Sequence, residues 1–298
     1  MTLRLPVSVL LLATAAALPA AEPGPLRAGA AAVDVTPPAE WLPISVNGGF
    51  TARFLDKVND PLHVKTLVLS DGATTIALGT VDSCVMDRAL IDEAKRRAET
   101  ETGIPASRML VSATHTHSAP AVVGVHGTDA DDRYRDFLIG KIAEAIVAAH
   151  AKLAPAEAGW AVGECTEWVH CRRWLMKPGT ALTVPFTGAS ENLAQMNPGH
   201  QNPNMVRQTG PSDPAVTLLA VRTADHKPLA VYANYSTHYA GAPDISADYF
   251  AVFGEEMRRL VGAGEEFVGI MSNGTSGDAN CIDFSKPPRK FTHVTVGQ

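Results

Sequence analysis

Two histidines separated by a single residue, His115 and His117, are the residues of this sequence best suited to chemistry. They lie in the run VSATHTHSAP, which spans positions 111–120. In an extended backbone, alternate side chains project from one face of the strand, so both imidazoles can approach the same ion. Neutral imidazole is a common zinc ligand, but two ligands do not complete a site. The pattern predicts half of a metal or catalytic site, with two structural histidines as the alternative.

Two further segments place polar residues at the ends of predicted strands. His238 follows the strand-like run Leu229–Tyr235, and a glycine-rich loop, Ser272–Asn280, follows the run Phe267–Met271. Glycine lets the backbone approach a ligand closely, while Asn, Thr, Ser and Asp supply short polar side chains. If these strand ends converge with the histidine pair, they form a hydrolytic centre. Otherwise His238 is a structural histidine and the loop is a turn.

Hydrophobic patterning predicts the strands and helices that must position these residues. Lys177–Pro214 is rich in proline and is expected to be a long loop, either functional or a surface insertion. The predicted helices are Arg88–Thr102, Asp131–Ala151 and Tyr249–Val261. The predicted strands are Ala28–Pro38 (an edge strand stopped by two prolines), Val64–Leu69, Thr75–Val81, Arg108–Ser112, Gly159–Arg173, Val216–Arg222, Leu229–Tyr235 and Phe267–Met271.

Composition excludes some classes of partner. The 298 residues are 46% hydrophobic, which is enough for a sizeable core. The formal net charge is −6 and the chain has no basic cluster, so nucleic acid is not expected to bind. Nothing in this charge pattern recruits the protein strongly to anionic lipid, so any contact with a membrane surface is expected to be transient.

Residues 1–21 have the pattern of a secretory signal peptide. Arg4 provides a positive start, Val7–Leu18 an apolar segment, and Ala15–Ala21 small residues suited to cleavage. The apolar segment is shorter than the roughly 20 residues that a membrane-spanning helix needs. We therefore expect an exported protein, periplasmic or extracellular, with a membrane anchor as the alternative.

The cysteines permit disulfides without requiring them, since the chain has four of them. Cys165 and Cys171 could bridge a hairpin, and buried free thiols are the alternative for a chain of this size. No CxxC pair exists, so a zinc site built on thiolates is not expected.

Three other polar residues lie near the predicted strand ends. Asp82 and Asp248 could orient ligand histidines as supporting carboxylates, or each could cap a helix. His126 could reach the histidine pair, although we expect it to be exposed to solvent.

Four segments, taken in order and spacing, resemble the N-terminal catalytic domain of the neutral/alkaline non-lysosomal ceramidase family. They are AGAAAVDVTPP, VSATHTHSAP, NYSTHY with ISADY, and SNGTSGDAN. The resemblance covers about residues 27–298. It implies an α/β fold of two stacked mixed β-sheets flanked by helices. It also implies a zinc amidohydrolase that cleaves the amide of N-acylsphingosine into a fatty acid and a sphingoid base.

The resemblance also assigns residue roles. It makes His115 and His238 zinc ligands and places His117 beside the reacting centre. A substrate-pocket arginine falls on Arg172 or on the neighbouring Arg173. The serine of the family falls on Asn280, which cannot act as that nucleophile but can donate a hydrogen bond to an oxyanion.

The family completes its zinc site with a glutamate and a tyrosine from farther downstream, and this sequence ends at Gln298 without them. We therefore expect the domain to be incomplete at its C-terminus. Because water activated by zinc can attack directly, loss of the serine does not forbid hydrolysis. A lipid amide is the expected substrate. Hydrolysis of a different amide or ester, or a non-catalytic ligand-binding role, remain the alternatives.

Overall fold

The computed structural model describes residues 24–184, 187–188 and 193–298, so the predicted signal peptide lies outside the described residues. The fold is mixed α/β, as expected, and none of the described helices is both long and apolar enough to cross a bilayer. The helices are α1 (Arg88–Thr102), α2 (Asp132–Ala151), α3 (Tyr249–Leu260) and α4 (His293–Gly297). The strands are β1 (Arg27–Asp34), β2 (Ile44–Ser45), β3 (Phe54–Leu55), β4 (His63–Ser70), β5 (Thr75–Val81), β6 (Met109–Ala113), β7 (Ala154–Glu164), β8 (His170–Cys171), β9 (Arg173–Met176), β10 (Ala194–Met196), β11 (Met205–Gln208), β12 (Ala215–Thr223), β13 (Pro228–Tyr235), β14 (Val268–Asn273) and β15 (Ala279–Asn280).

The first half of the main sheet contains β1, β4, β5 and β6, in that order. β1 is antiparallel to β4, and β4 and β5, whose strands the sequence predicts, form a hairpin. Its turn is held by Asp71, whose carboxylate accepts hydrogen bonds from the backbone N–H groups of Ala73 and Thr74. α1 connects β5 to β6, so these two strands run parallel. α1 and α2 cover the outer face of this half with buried side chains such as Leu90 and Leu138.

The second half of the main sheet contains β7, β12, β13 and β14. β7, β12 and β13 are antiparallel neighbours, while α3 returns the chain so that β14 lies parallel to β13. α3 packs closely on β14, because a Cβ atom on Gly269 would lie only 2.6 Å from the Cα of Gly254. Helices therefore flank this half as well.

The two halves are joined by hydrogen bonding at one place and otherwise pack face to face. β1 pairs with β7 only where Arg27 meets Pro155 and Ala28 meets Ala154. The interior between the halves is apolar, and the Thr80 and Tyr232 hydroxyls lie 3.3 Å apart across it. The buried residues of this layer are Ala28, Ala30, Leu67, Val221, Ala230, Val268 and Ile270. The expected pair of stacked mixed sheets is thus confirmed, as two halves of one eight-stranded sheet.

Three predictions about strands are wrong in detail. β1 is an edge strand over only part of its length, because β7 pairs with it at Arg27 and Ala28. Pro37 and Pro38 lie beyond its last residue, Asp34, and remove no donor from it. Gly159–Arg173 is not one strand, because β7 ends at Glu164 and β8 begins at His170. The predicted loop Lys177–Pro214 contains β10 and β11, which pair with β9 in a three-stranded sheet.

The bridge between Cys165 and Cys171 is not formed, and all four cysteines are free thiols. Cys171 lies in β8 and its sulfur is 3.4 Å from the carbonyl oxygen of Arg173. The alternative of free, largely buried thiols therefore holds for this fold.

Candidate metal and catalytic site

Four strand ends meet at one edge of the molecule and carry the candidate site. β5 leads to Cys84, β6 to the histidine pair, β13 to His238 and β14 to the glycine-rich loop. Parallel pairing within β5 and β6, and within β13 and β14, brings the carboxyl ends of each pair together. The two pairs are tied to each other where the Asn273 side chain donates to the carbonyl of Thr114, at 3.1 Å. The predicted convergence of strand ends is therefore observed.

His115 is positioned by its backbone as well as its ring. β6 ends at Ala113, and His115 has a φ of +67°, so the histidine pair does not extend the strand as the spacing suggested. The backbone N–H of His115 instead donates to the carbonyl of Ser83, at 2.9 Å. Its ring Nδ1 donates to the carbonyl of Cys84, at 2.7 Å, which leaves Nε2 free.

The three predicted site histidines form one cluster. The Nε2 atoms of His115 and His117 are 3.2 Å apart, so both rings point at one place. The ring centroid of His238 lies 4.7 Å from that of His115 and 5.2 Å from that of His117. Nδ1 of His238 donates to the carbonyl of Ser276, at 3.1 Å, so its Nε2 is also free. The cluster offers several imidazole nitrogens to a common ligand.

The electrostatics of the cluster keep two of its imidazoles, those of His117 and His238, neutral. Burial lowers the pKa of His117 to about 3, with further lowering by the neighbouring His115 and His238 and by the charges of Arg53 and Arg172. Burial also lowers the pKa of His238 to about 4, assisted by Arg172 and His115. A neutral imidazole has a free lone pair at physiological pH, and this is the form that binds metals.

His117 is held by contacts that differ from those of the other two histidines. The ring of Tyr239 stacks on it, with centroids 3.7 Å apart and planes at 19°. Arg53 donates to its backbone carbonyl. Gly48, with a φ of +112°, lies against the ring so closely that a Cβ atom there would be 2.4 Å from the His117 Cγ. The loop that contains Gly48 therefore forms one wall of the site.

Arg172 is the arginine that the fold turns toward the site. Its guanidinium donates to the carbonyl of Gly277 at 2.8 and 3.2 Å, and its backbone N–H donates to the carbonyl of Asp278 at 2.7 Å. Arg173, the other candidate from the sequence, is exposed. Arg172 thus fixes the glycine-rich loop and supplies the positive charge that both His117 and His238 sense.

Asn280 lies in the expected loop but is engaged elsewhere. Its side-chain amide donates to the Asn197 side chain at 3.2 Å, and its carbonyl oxygen accepts from the backbone N–H of Ile282 at 3.0 Å. None of its described contacts is with a site histidine. Ser276 reaches the site through its backbone carbonyl, which holds His238.

Cys84 belongs to the site although the sequence motifs do not single it out. Its sulfur lies 3.8 Å from Nδ1 of His115. Among the described residues, Cys84, His115 and His117 form the group of potential ligand atoms that lie within 4.8 Å of one another and could hold a metal ion. Burial raises the pKa of the Cys84 thiol to about 12. The signal for Cys84 in the sequence is its place just after β5, the parallel neighbour of β6.

Asp82 and Asp248, which the sequence offers as supports for ligand histidines, form hydrogen bonds with backbone groups instead. Asp82 is buried, accepts from the backbone N–H of His63 and caps none of the described helices, and burial raises its pKa to about 6. Asp248 caps α3 by accepting from the N–H of Tyr249.

Asp248 also accepts from three consecutive backbone N–H groups that follow Tyr239, those of Ala240, Gly241 and Ala242. It therefore supports the His238 loop through the backbone. His126 is exposed, as expected, and packs against Phe50 with ring centroids 5.0 Å apart.

The donor atoms of the cluster fit a particular class of ion. Imidazole nitrogen and thiol sulfur are ligands typical of zinc and other borderline transition metals, whereas magnesium and calcium prefer oxygen. The free Nε2 atoms, fixed by Nδ1 hydrogen bonds to carbonyls, have the arrangement that orients ligand histidines in metalloproteins. The residues present therefore fit a transition-metal site.

Comparison with known proteins gives a match by structure alone. No protein-family model and no curated protein matches this chain. Neutral ceramidase from Pseudomonas aeruginosa superposes with a TM-score of 0.65 at 16% sequence identity, covering 87% of this chain and 40% of that chain. A ceramidase complexed with C2 superposes with a TM-score of 0.65 at 15% identity, covering 86% of this chain and 39% of that one.

These similarities establish the fold of the chain. They confirm the structural resemblance to neutral ceramidase that the sequence motifs indicated. The chain spans about two fifths of the length of the two ceramidase structures.

Proposed function

We propose that this protein is a zinc-dependent amidohydrolase that cleaves the amide bond of ceramide, or of a related lipid amide, to a fatty acid and a sphingoid base. The observation that carries the proposal is the convergence of His115, His117 and His238 at the edge of a ceramidase-like fold. A solved ceramidase with this fold is complexed with C2, which supports a lipid amide as the substrate. No observation favours an ester substrate or a purely binding role.

His115 and His238 are the proposed zinc ligands. Each donates Nδ1–H to a backbone carbonyl, at 2.7 Å for His115 and 3.1 Å for His238, and so presents Nε2 to the site. Such second contacts fix the tautomer and direction of a ligand imidazole. A zinc ion held there would polarise the amide carbonyl and lower the pKa of a water molecule for attack.

His117 is the proposed proton carrier. It is neutral, it lies 3.2 Å from His115, and no carbonyl fixes its Nδ1 among the described contacts. The stacked Tyr239 holds the plane of its ring, so its nitrogens keep a defined direction. It can take a proton from water and return it to the leaving amine.

Arg172 is the proposed partner of the oxyanion. Its positive charge lies close enough to lower the pKa of two site histidines, and a cation there stabilises negative charge that develops on the substrate oxygen. The sequence offers either Asn280 or an arginine for this role. The Asn280 amide would have to leave Asn197 to reach the substrate, so in this proposal it supports the loop instead.

The test is release of sphingosine from a short-chain ceramide, followed by mass spectrometry. We expect release that a chelator abolishes and that zinc restores. His115→Ala and His238→Ala should abolish it, and Arg172→Ala should reduce it by about a hundredfold. His126→Ala is the matched control, since the described contact of this exposed histidine is with Phe50 rather than with the cluster. A zinc-loaded, folded protein that releases no sphingosine would refute the ceramidase proposal.

We also propose that residues 1–21 direct export, which would place this reaction outside the cytoplasm. Mass spectrometry of the mature N-terminus tests this part, and an intact Met1 in the mature protein would refute it.

A further inference from the structure

The loop between β2 and β3 contacts His117 at two places. Gly48 lies against the imidazole ring, and the guanidinium of Arg53 donates a hydrogen bond to the backbone carbonyl of His117. The carbonyl of Arg53 in turn accepts from the backbone N–H of Val46 at 3.0 Å, which closes the base of the loop. Burial is the main cause of the low pKa of His117, and the charge of Arg53 contributes to it. The loop therefore holds a positive charge beside the proposed proton carrier.

The charge of Arg53 is not neutralised by a carboxylate. Arg53 is exposed, and its described side-chain contact is with a neutral carbonyl. Exposed arginines elsewhere, such as Arg133 and Arg289, pair with carboxylates at 2.7 and 3.0 Å, but none of the ion pairs in the described part of the chain includes Arg53. A guanidinium has five N–H donors in a planar fork. Arg53 uses one of them on His117 and has the others available for a ligand.

The acidic residues described around the site have other partners. The carboxylate of Asp248 accepts from four backbone N–H groups, and that of Asp82 accepts from one. Asp278 faces Arg172, since its charge opposes the lowering of the Arg172 pKa that burial causes. Arg172 is also tied to the glycine-rich loop by hydrogen bonds at 2.8 and 3.2 Å. Arg53 is therefore the arginine beside the site whose charge is left for a ligand.

We propose that Arg53 binds a carboxylate on the amine part of the substrate, so that the lipid amide is an N-acyl amino acid. This inference rests on the proposed function and selects among its related lipid amides. His117 is the proposed proton donor to the leaving amine, and Arg53 contacts the backbone of that same residue. The amine part of a bound substrate therefore lies on the Arg53 side. In an N-acyl amino acid a single carbon separates the amide nitrogen from a carboxylate, which matches the guanidinium fork in geometry and charge.

The two arginines then contact different parts of the substrate. Arg172 remains the proposed partner of the acyl oxygen, while Arg53 holds the carboxylate beyond the scissile bond. Hydrolysis breaks the C–N bond, adds the hydroxyl of water to the acyl carbon and delivers the proton to the leaving nitrogen. The products are a fatty acid and a free amino acid, and nothing is oxidised or reduced.

The experiment compares N-octanoylglycine with N-octanoylglycinamide, which differ in the charge of the head group. Release of octanoic acid by the zinc-loaded full chain gives kcat and KM for each compound, with ceramide assayed in parallel. Calorimetry on the chelated protein gives the binding of each compound without turnover and without the attraction of the ion for a carboxylate. The wild-type protein should bind N-octanoylglycine at least about tenfold more tightly, and a rise in ionic strength should reduce this preference.

Variants of Arg53 separate substrate recognition from support of His117. Arg53→Ala should weaken binding of N-octanoylglycine about tenfold and raise its KM, with a smaller effect on the neutral amide, and Arg53→Lys should keep part of the preference. Arg27→Ala is the matched control. Arg27 is also an exposed arginine that donates to a backbone carbonyl, that of Leu153 at 2.7 Å, but it lies at the start of β1, where β1 pairs with Ser70 at the opposite end of β4 from His63. It should keep the full preference.

The outcomes separate this inference from the proposed function. Equal binding of the two compounds by the wild-type protein, or an equal loss for both in Arg53→Ala, overturns the inference and leaves the hydrolase proposal standing. Selective binding that depends on Arg53, without release of octanoic acid or sphingosine, refutes the hydrolase proposal alone. Arg53→Gln provides a second neutral variant if the alanine variant does not fold.

Discussion

Replacement of Gly48 by alanine should disable the site by displacing His117. A Cβ atom at this position would lie 2.4 Å from Cγ of His117, 2.5 Å from Nδ1 and 2.7 Å from Cβ. Because the His117 Cβ is itself too close, rotation of the imidazole about χ1 does not relieve the overlap. An ordinary contact begins at 3.4 Å, so the two segments must separate by about 1 Å.

The expected magnitude has a catalytic and a conformational part. Misplacement of a catalytic group by about 1 Å lowers the rate by about a hundredfold. The φ of +112° at Gly48 also strains any residue with a Cβ atom, at a cost of about 1–2 kcal/mol in the free energy of unfolding. Gly48→Ala should therefore lose both activity and stability.

Gly72→Ala separates the two parts. Gly72 lies in the β4–β5 turn with a φ of +84° and similar strain, and no heavy atom lies within 4 Å of the position that a Cβ atom would take there. It should lose about 1–2 kcal/mol of stability and keep its activity. The assays are urea unfolding and sphingosine release, measured on both variants. If Gly48→Ala keeps wild-type activity, or if both variants lose activity equally, the proposed role of His117 is refuted.

Two other substitutions test how the loops around the site are held. Asp248→Ala should lower the free energy of unfolding by about 3 kcal/mol, because it removes the acceptor of four backbone N–H groups. Asp248→Asn should lower it by less. A urea midpoint of Asp248→Ala near that of the wild-type protein would contradict this. Asn280→Ala and Asn197→Ala should reduce sphingosine release by similar factors, because each side chain holds the other. A much larger loss for Asn280→Ala would show that Asn280 acts on the substrate.

The sequence predicts those strands and helices whose alternation, turn residues and capping residues lie within or next to them. The hairpin of β4 and β5 and helix α1 have the predicted positions, because alternation, a turn and end signals specify them locally. α1 begins with Asp87 as its N-cap, and Gly103 ends it in the left-handed conformation. The predicted α3 is one residue too long at its C-terminus.

Features that depend on distant partners were not predictable in this way. β10 and β11 exist because β9 lies between them, and the prolines and glycines of the segment around them gave a loop signal. The positive φ of His115 accompanies a hydrogen bond to Ser83, over thirty residues earlier. The same contact explains why the sequence motifs did not identify Cys84 as a site residue. Cys84 comes close to His115 only after β5 and β6 have paired.

The joint between the two halves of the main sheet gives the site a mechanical role. Cys84, His115 and His117 follow strands of the first half, whereas His238 and its Ser276 support follow strands of the second. Backbone pairing of β1 with β7 covers only two residue pairs, so the halves are held together chiefly by the apolar layer between them. An ion bound by histidines of both halves would hold the two halves of the sheet together. Ion binding and cohesion of the fold would then be thermodynamically linked, so that separation of the halves releases the ion and its loss loosens the sandwich.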